Sequence, residues 1–370
     1  MKSKFKPKKL ILTAGPSISY KEKRYVLDAV TNGWNNHWND YIKKFEKKFA
    51  EYIGVKYAIA TSGGTGALQL ALASLDIKKG DEVILPDLTY FACSDVIKLS
   101  GAKPIFVDIL KDTWCIDPKK IESTITKNTK AIMPVHLYGN LCEMGEILKI
   151  ARKHNLFVIE DACPAIGSKY KGELAGSFGD FGAFSFQGAK IMVTGTGGML
   201  VTNNKNLYEK AEYLNNHGED TKKKFWQSSI GYSTEMSNVQ AALGLAQLER
   251  IEKLVEKKRQ IFFLYKNILK DIPDISVNYE QANVRSNFWM TSIVFENSKI
   301  KRDTLIKKLK EKLIDSRPFF YPISMFPMYK KQKNPVSYHI GLNGINLPSG
   351  VNLKKEEIEY VAKTLKELLK

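Results

Sequence analysis

The 370-residue sequence has few cysteines, few arginines and no long apolar run, and each shortage excludes a class of protein. Four cysteines without a C-x-x-C pair suggest neither a disulfide framework nor a zinc site. No apolar run reaches the roughly 18 residues of a membrane span, and no signal-peptide core follows the basic start MKSKFKPKKL. We therefore expect a cytoplasmic protein that binds no metal and no membrane.

The net charge of +18 comes almost entirely from lysine. Only seven of the 57 basic residues are arginine, and the lysines are spread over helical faces such as DYIKKFEKKFAEYIG. Recognition of nucleic acids favours arginine and a clustered basic surface. The charge therefore argues against a nucleic-acid partner and is compatible with attraction of small phosphorylated substrates.

Alternating strand and helix patterns predict an α/β protein with a mostly parallel central sheet. The strands are expected at short apolar runs: YAIAT, DEVILP, KPIFVDI, KAIMPVH and LFVIED. Helical spacing of apolar residues predicts helices at about 20–32, 40–53, 144–154 and 302–313, a long helical pattern from about 236, and a final helix from 354. We expect a large domain over residues 1–250 and a smaller α+β domain over residues 251–370.

One lysine, Lys190, stands among small, aromatic and β-branched residues in the stretch GDFGAFSFQGAKIMVTGTGGMLVTNN. It follows a strand-like run that ends near Ser185 and precedes a second strand-like run, GMLVT. An apolar setting lowers the pKa of a lysine and frees its amine to act as a nucleophile. A structural lysine is the alternative, since the chain has many.

Two further elements are expected near this lysine, because open α/β sheets bind ligands at the carboxyl ends of their strands. The turn TSGGTGAL enters a helix, where backbone N–H groups and Thr65 can hold a phosphate; an ordinary tight turn is the alternative. Asp161 ends a buried strand and needs a cation, although a salt bridge or helix cap would also serve. A phosphate cradle, a carboxylate for a protonated ring nitrogen and an amine for a Schiff base are what pyridoxal phosphate (PLP) requires.

These motifs, together with GDEVILPDLTYFA, GAKPIFVDI, VIEDA and MSNVQAALGLAQLE, resemble the DegT/DnrJ/EryC1/StrS family of PLP-dependent sugar aminotransferases over nearly the whole chain. The resemblance implies the type I aminotransferase fold. It also implies transfer of an amino group, with L-glutamate as donor, to the ketone of a nucleotide-linked 4-keto-6-deoxy sugar in surface-polysaccharide biosynthesis. Two alternatives stay open: an aminotransferase for a small phosphorylated ketone such as dihydroxyacetone phosphate, and a non-catalytic PLP-binding regulator.

The resemblance further implies a role for individual residues. Lys190 would form the Schiff base and move a proton, and Asp161 would keep the pyridine nitrogen protonated. Tyr90 would stack on the cofactor ring, although it could instead be a core aromatic. The remaining expected cofactor contacts are Gly64, Thr65, Ser185 and Asn238. For the substrate we expect contacts from Trp34, His37 and Arg317, and for Arg317 a structural ion pair is the alternative.

The sequence departs from the family pattern at three positions that bear on the site. Pro164 replaces a polar residue after the aspartate, and Thr196 replaces a carboxylate in the lysine loop. Ser233 stands where the family has an asparagine that reaches the partner subunit's cofactor phosphate, and Asn238 is the candidate substitute. The resemblance implies a homodimer with two shared active sites, in which the segment GYSTEMSN (231–238) crosses to the partner. Capping of the following helix is the alternative role for this segment.

Overall fold

The computed structural model describes residues 5–220, 222–296 and 300–369. Two N-terminal helices precede the first strand, α1 (Tyr20–Asn32) and α2 (Asp40–Ile53), and both confirm the predicted bounds. The side chains of Ser19 and Glu22 cap the first turn of α1 reciprocally. Helix α2 ends at Gly54, whose φ of 84° is a left-handed conformation that glycine adopts without strain.

A seven-stranded sheet forms the centre of the molecule, in the order β1-β9-β8-β5-β4-β2-β3. Its strands are β1 (Tyr57–Thr61), β2 (Glu82–Pro86), β3 (Lys103–Val107), β4 (Thr129–Ile132), β5 (Phe157–Asp161), β8 (Phe181–Ser185) and β9 (Gly198–Thr202). The pairs among β2, β3, β4, β5 and β8 are parallel, whereas β9 runs antiparallel to both β1 and β8. The predicted α/β class with a mostly parallel sheet is confirmed.

Helices cover both faces of this sheet, which explains why its strands are continuous apolar runs. They are α3 (Gly64–Ser74), α4 (Ala92–Leu99), α5 (Pro118–Ile121), α6 (Met144–His154) and α7 (Lys205–Asn215). Successive residues of β2 show the arrangement, because Val83 and Leu85 pack in the same cluster as α3 and α4, whereas Ile84 packs with α6. All three side chains are fully buried.

The long helical pattern from about residue 236 forms two helices, α8 (Asn238–Leu248) and α9 (Ile251–Leu269), rather than one. The chain leaves helical geometry at Arg250, with φ −129° and ψ 17°. The Arg250 guanidinium donates to Glu22 Oε1 at 2.6 Å and also binds Ser17. Glu22 is 1% exposed, so this buried ion pair joins the break between the helices to α1.

A four-stranded antiparallel sheet follows, in the order β10-β12-β14-β13, with strands β10 (Ile275–Val277), β12 (Thr291–Phe295), β13 (Arg317–Pro318) and β14 (Gly344–Leu347). Further strands are β6 (Lys169–Tyr170), β7 (Glu173–Leu174) and β11 (Val284–Arg285), and further α-helices are α10 (Arg302–Glu311), α11 (Pro335–Asn343) and α12 (Lys355–Leu369). We propose that the smaller domain begins near residue 251, at α9, and that it also includes Ile11, which pairs with Ile314.

In residues 5–220, 222–296 and 300–369, no helix is long and apolar enough to cross a membrane. The same ranges contain no group of three or more His, Cys, Asp or Glu side chains placed to hold a metal ion. All four cysteines are free thiols.

Candidate active site

Three chain segments meet at the carboxyl ends of the central strands. Asp161 is the last residue of β5, Ser185 is the last residue of β8, and α3 begins at Gly64 three residues after β1. They border a cavity of about 560 Å³. Seven of the predicted site residues line it: Gly64, Thr65, Tyr90, Asp161, Ser185, Lys190 and Arg317.

Lys190 lies in the loop between β8 and β9, where its backbone N–H donates to the Gln187 carbonyl at 2.8 Å. Its Nζ lies 3.8 Å from the centroid of the Trp289 ring. Burial lowers the pKa of Lys190 below the ordinary value of a lysine, and the charge of the Asp161 carboxylate opposes the shift. A lysine with a lowered pKa has more of its amine in the uncharged, nucleophilic form.

Asp161 is 5% exposed, and its carboxylate is held by two donors. The Cys163 backbone N–H donates to Oδ1 at 3.0 Å, and the Cys93 thiol donates to Oδ2 at 3.0 Å. Burial raises the pKa of Cys93, so this thiol keeps its proton and remains a donor. Within the described part of the chain Asp161 forms no salt bridge. A buried carboxylate that borders a cavity and forms no ion pair with a side chain suits a protonated ring nitrogen of a ligand.

The first turn of α3 is packed tightly against the end of β8. A Cβ placed on Gly64 would lie 2.6 Å from Cys163 Sγ and 2.9 Å from Ser185 Cβ, so only glycine fits without displacing them. The first N–H groups of a helix have no partner within the helix, and they bind anions well. This first turn, Thr65 and the hydroxyl of Ser185 line the same cavity, so their arrangement fits the phosphate of PLP.

Tyr90 is 47% exposed, which contradicts the alternative that it is a core aromatic. Its ring centroid lies 4.2 Å from that of Phe91 and 5.6 Å from that of Phe320. Tyr90 and Phe320 both line the cavity. An aromatic ring at this place can stack on a planar ligand.

Three predicted residues lie outside the cavity of their own chain: Trp34, His37 and Asn238. Trp34 is 59% exposed, and the exposed His37 ring binds Asp40 through Nδ1 at 2.9 Å. Asn238 is 8% exposed, and its Oδ1 accepts from the Tyr41 N–H at 2.9 Å while its Nδ2 donates to the His37 carbonyl. Asn238 therefore joins the N-terminal segment to α8. Any cofactor or substrate contact by these residues stays a prediction.

The structure also places the residues that depart from the family pattern. Thr196 lines the cavity, and its Oγ1 accepts from Gln240 Nε2 at 2.9 Å. The carbonyl of Pro164 accepts from Asn287 Nδ2 at 3.0 Å. Ser237 forms a capping box with Gln240 at the start of α8, so the capping role of the segment 231–238 is confirmed. A segment that caps α8 can also contact a partner subunit, so the shared active site stays a prediction.

Trp289 and Phe320 complete the cavity, and sequence reasoning did not identify either residue. The Trp289 indole donates to the Ala189 carbonyl at 2.8 Å across 100 positions of sequence. The stretch FWMTSIVF predicts only a strand, and no local pattern shows that its tryptophan meets the lysine loop. Only the tertiary fold brings the two segments together.

Comparison with known proteins supports the same assignment. Residues 16–366 match the DegT/DnrJ/EryC1/StrS aminotransferase family. The chain belongs to this family. It is 45% identical to GDP-perosamine synthase of Escherichia coli O157:H7 over 354 residues, which covers 95% of this chain and 96% of that protein. It is 40% identical to GDP-perosamine synthase of Caulobacter vibrioides over 364 residues, covering 97% and 98% of the two chains.

Among solved structures, the chain resembles Spr1654 of Streptococcus pneumoniae, a protein assigned as a sugar aminotransferase. Its PMP form matches with a TM-score of 0.91 and 28% identity, covering 97% of each chain. Its PLP form matches with the same TM-score and identity, covering 97% of this chain and 98% of that one. The predicted aminotransferase fold is confirmed, and the family makes the protein an aminotransferase.

Proposed function

We propose that this PLP-dependent aminotransferase transfers an amino group from L-glutamate to the ketone of a nucleotide-linked 4-keto-6-deoxy sugar, as a cytoplasmic step in surface-polysaccharide biosynthesis. The observation that carries the proposal is the 45% identity to GDP-perosamine synthase over nearly the full length of both chains. This likeness favours a sugar nucleotide over a small phosphorylated ketone. The cavity that contains Lys190 and Asp161 favours an enzyme over a non-catalytic regulator.

When bound, PLP supplies an aldehyde that condenses with amines and a ring that draws electrons from the attached carbon. Lys190 is the one lysine on the cavity wall among the described residues, so its amine would be the nucleophile toward that aldehyde. The same amine would move a proton to and from the reacting carbon. Asp161 holds the proton on the ring nitrogen, because its carboxylate is buried and fixed by two donors.

The first turn of α3 would hold the phosphate. Gly64 and Thr65 contribute backbone N–H groups, and Ser185 contributes a hydroxyl at the end of β8. Tyr90 would cover one face of the ring. Together these residues would hold the cofactor between Asp161 and Lys190, with the reacting carbon near the lysine amine.

Arg317 is the candidate contact for the anionic part of the substrate. It lies on β13 at the cavity wall, is exposed, and forms no ion pair with another described residue. A guanidinium binds phosphate or carboxylate oxygens in a bidentate geometry. We assign it to the diphosphate of the sugar nucleotide.

We also propose a homodimer with shared active sites. The region before α8 exposes large apolar side chains that are unusual on the surface of a monomer, with Phe225 86%, Trp226 52% and Ile230 90% exposed. A two-fold interface is isologous, so each chain would both give and receive the segment 231–238. Mixing Lys190→Ala chains with chains altered at Ser233 and Asn238 would then restore about one intact site in each mixed dimer. An active monomer in sedimentation would exclude the shared site.

A substrate screen tests the proposed function directly. Purified enzyme with L-glutamate is offered GDP-, dTDP- and UDP-linked 4-keto-6-deoxy sugars and dihydroxyacetone phosphate, and formation of 2-oxoglutarate is measured. We expect turnover with a sugar nucleotide, the GDP-linked sugar first. Turnover with dihydroxyacetone phosphate alone, or with none of the ketones by protein that binds PLP, would refute the proposal.

A further inference from the structure

The indole of Trp289 lies directly over the amine of Lys190, with Nζ 3.8 Å from the ring centroid. Trp289 is 6% exposed, and Lys190 is partly buried. The face of an indole attracts an ammonium ion, and the attraction is strongest where water is excluded. An uncharged amine receives much less of this stabilisation.

The position of this indole is fixed from several directions. Its Nε1 donates to the Ala189 carbonyl at 2.8 Å, next to Lys190 in the chain. The backbone N–H of Trp289 donates to Asn287 Oδ1 at 2.8 Å, and its carbonyl accepts from Lys258 Nζ at 2.7 Å. The ring stacks on Tyr138 with centroids 6.0 Å apart and planes 29° apart.

The residue before Trp289 is strained. Phe288 has a φ of 47°, a left-handed conformation that is unfavourable for a bulky residue. The Phe288 ring stacks on Phe262, and the neighbouring Asn287 donates through Nδ2 to the carbonyls of Pro164 and Ile166. The surrounding contacts hold this conformation, and the direction of the Trp289 side chain depends on it.

A transaminase needs a site that holds its lysine amine near the cofactor, and the indole face of Trp289 is such a site. During the half of the cycle in which the transferred amino group is carried on the cofactor, the amine of Lys190 is free, and burial alone would favour its uncharged form. A free ammonium that is held close to the cofactor can return its proton and then attack again without a search.

We propose that Trp289 is a positioning residue that holds the protonated amine of Lys190 over its indole face whenever that amine is not bound to the cofactor. The proposal rests on the proposed function, because it assigns Lys190 as the lysine that PLP binds. In this proposal Trp289 affects the reaction indirectly, through the position and protonation of Lys190.

The test measures the protonation of Lys190 in the pyridoxamine-phosphate form of the enzyme, prepared with L-glutamate. Acetic anhydride labels uncharged amines, and peptide mass spectrometry gives the rate at Lys190 as a function of pH. We expect the pH midpoint of labelling to fall by about 0.4 to 1.5 in Trp289→Leu, because the indole face is lost. Trp289→Phe keeps an aromatic face and should stay closer to wild type.

The midpoint separates protonation from access, since a more open site raises the plateau of labelling at high pH without moving the midpoint. Circular dichroism and thermal melting confirm the fold, and Trp289→Met replaces the leucine variant if that one does not fold. An unchanged midpoint in the folded variant would overturn the proposal. In the PLP form Lys190 should be protected from labelling in every variant. Loss of that protection in wild type would instead refute the role of Lys190 in the proposed function.

Discussion

The first turn of α3 offers a sharp test of the phosphate cradle, through the substitution Gly64→Ala. The added Cβ would lie 2.6 Å from Cys163 Sγ and 2.9 Å from Ser185 Cβ, both closer than carbon contacts in proteins allow. Ser185 cannot move freely, because it ends a strand of the central sheet. The helix start must therefore shift, and the backbone N–H groups of its first turn shift with it.

The expected loss of PLP affinity can be estimated from the hydrogen bonds that the phosphate would lose. Loss of one hydrogen bond to a charged group costs about 1.5–3 kcal/mol, which weakens PLP binding by about ten- to a hundredfold. Alanine in place of glycine gains up to about 1 kcal/mol of helix propensity, which offsets part of the 1–3 kcal/mol that overpacking costs. We therefore expect a clear loss of cofactor affinity with only a small change in the stability of the cofactor-free protein.

Titration of the cofactor-free variants with PLP, followed by absorbance, measures the affinity. Gly66→Ala is the matched control in the same helical turn, because its Cβ would meet Thr234 Cβ no closer than 3.3 Å. The control should lose much less affinity than Gly64→Ala. Equal affinity of Gly64→Ala and wild type would show that the phosphate does not depend on the start of α3.

Three further predictions concern Asp161, Lys258 and Arg317. Asp161→Asn should still bind PLP but lose more than about tenfold in turnover, a barrier change above about 1.4 kcal/mol, because an amide cannot hold the ring nitrogen protonated; turnover near wild type in steady-state kinetics would exclude the role. Burial lowers the pKa of Lys258 to about 7, so between that pH and the ordinary lysine pKa the unfolded chain binds more protons and stability rises with pH. In Lys258→Met the free energy of unfolding, measured with urea at the two ends of that pH range, should rise less with pH than in wild type. An unchanged pH dependence would show that Lys258 is not its source. Arg317→Gln should raise KM for the sugar nucleotide about tenfold or more, while the half-reaction with glutamate keeps its rate; slowing of that half-reaction would assign Arg317 to the donor instead.

Three of the residues that sequence reasoning placed at the cavity lie at strand ends or at a helix start. Asp161 and Ser185 end buried parallel strands, and Gly64 begins a helix after another strand, so the rule for open α/β sheets brings them to one edge. Lys190 was found because its apolar neighbours contrast with the polar surroundings of the other lysines. For each of these residues, the local sequence indicated both where the residue lies in the fold and which chemical group it contributes.

The features that sequence reasoning missed depend on tertiary contacts instead. Trp289 reaches Lys190 only because the smaller sheet packs beside the lysine loop. The residue spacing in FWMTSIVF does not predict this packing. Trp34 and His37 lie on a surface segment outside the cavity of their own chain, and their contact with the substrate stays a prediction. Arg250 interrupts an apparently continuous helical pattern through a partner, Glu22, 228 positions away.

Identification of the residue that PLP binds tests the central claim most directly. The enzyme with bound PLP is reduced with borohydride, digested, and analysed by peptide mass spectrometry. We predict that the cofactor mass is found on Lys190 alone, and that Lys190→Ala loses both the yellow absorbance and this modification. Stable attachment to any other lysine, or an undiminished absorbance and turnover in Lys190→Ala, would contradict the account.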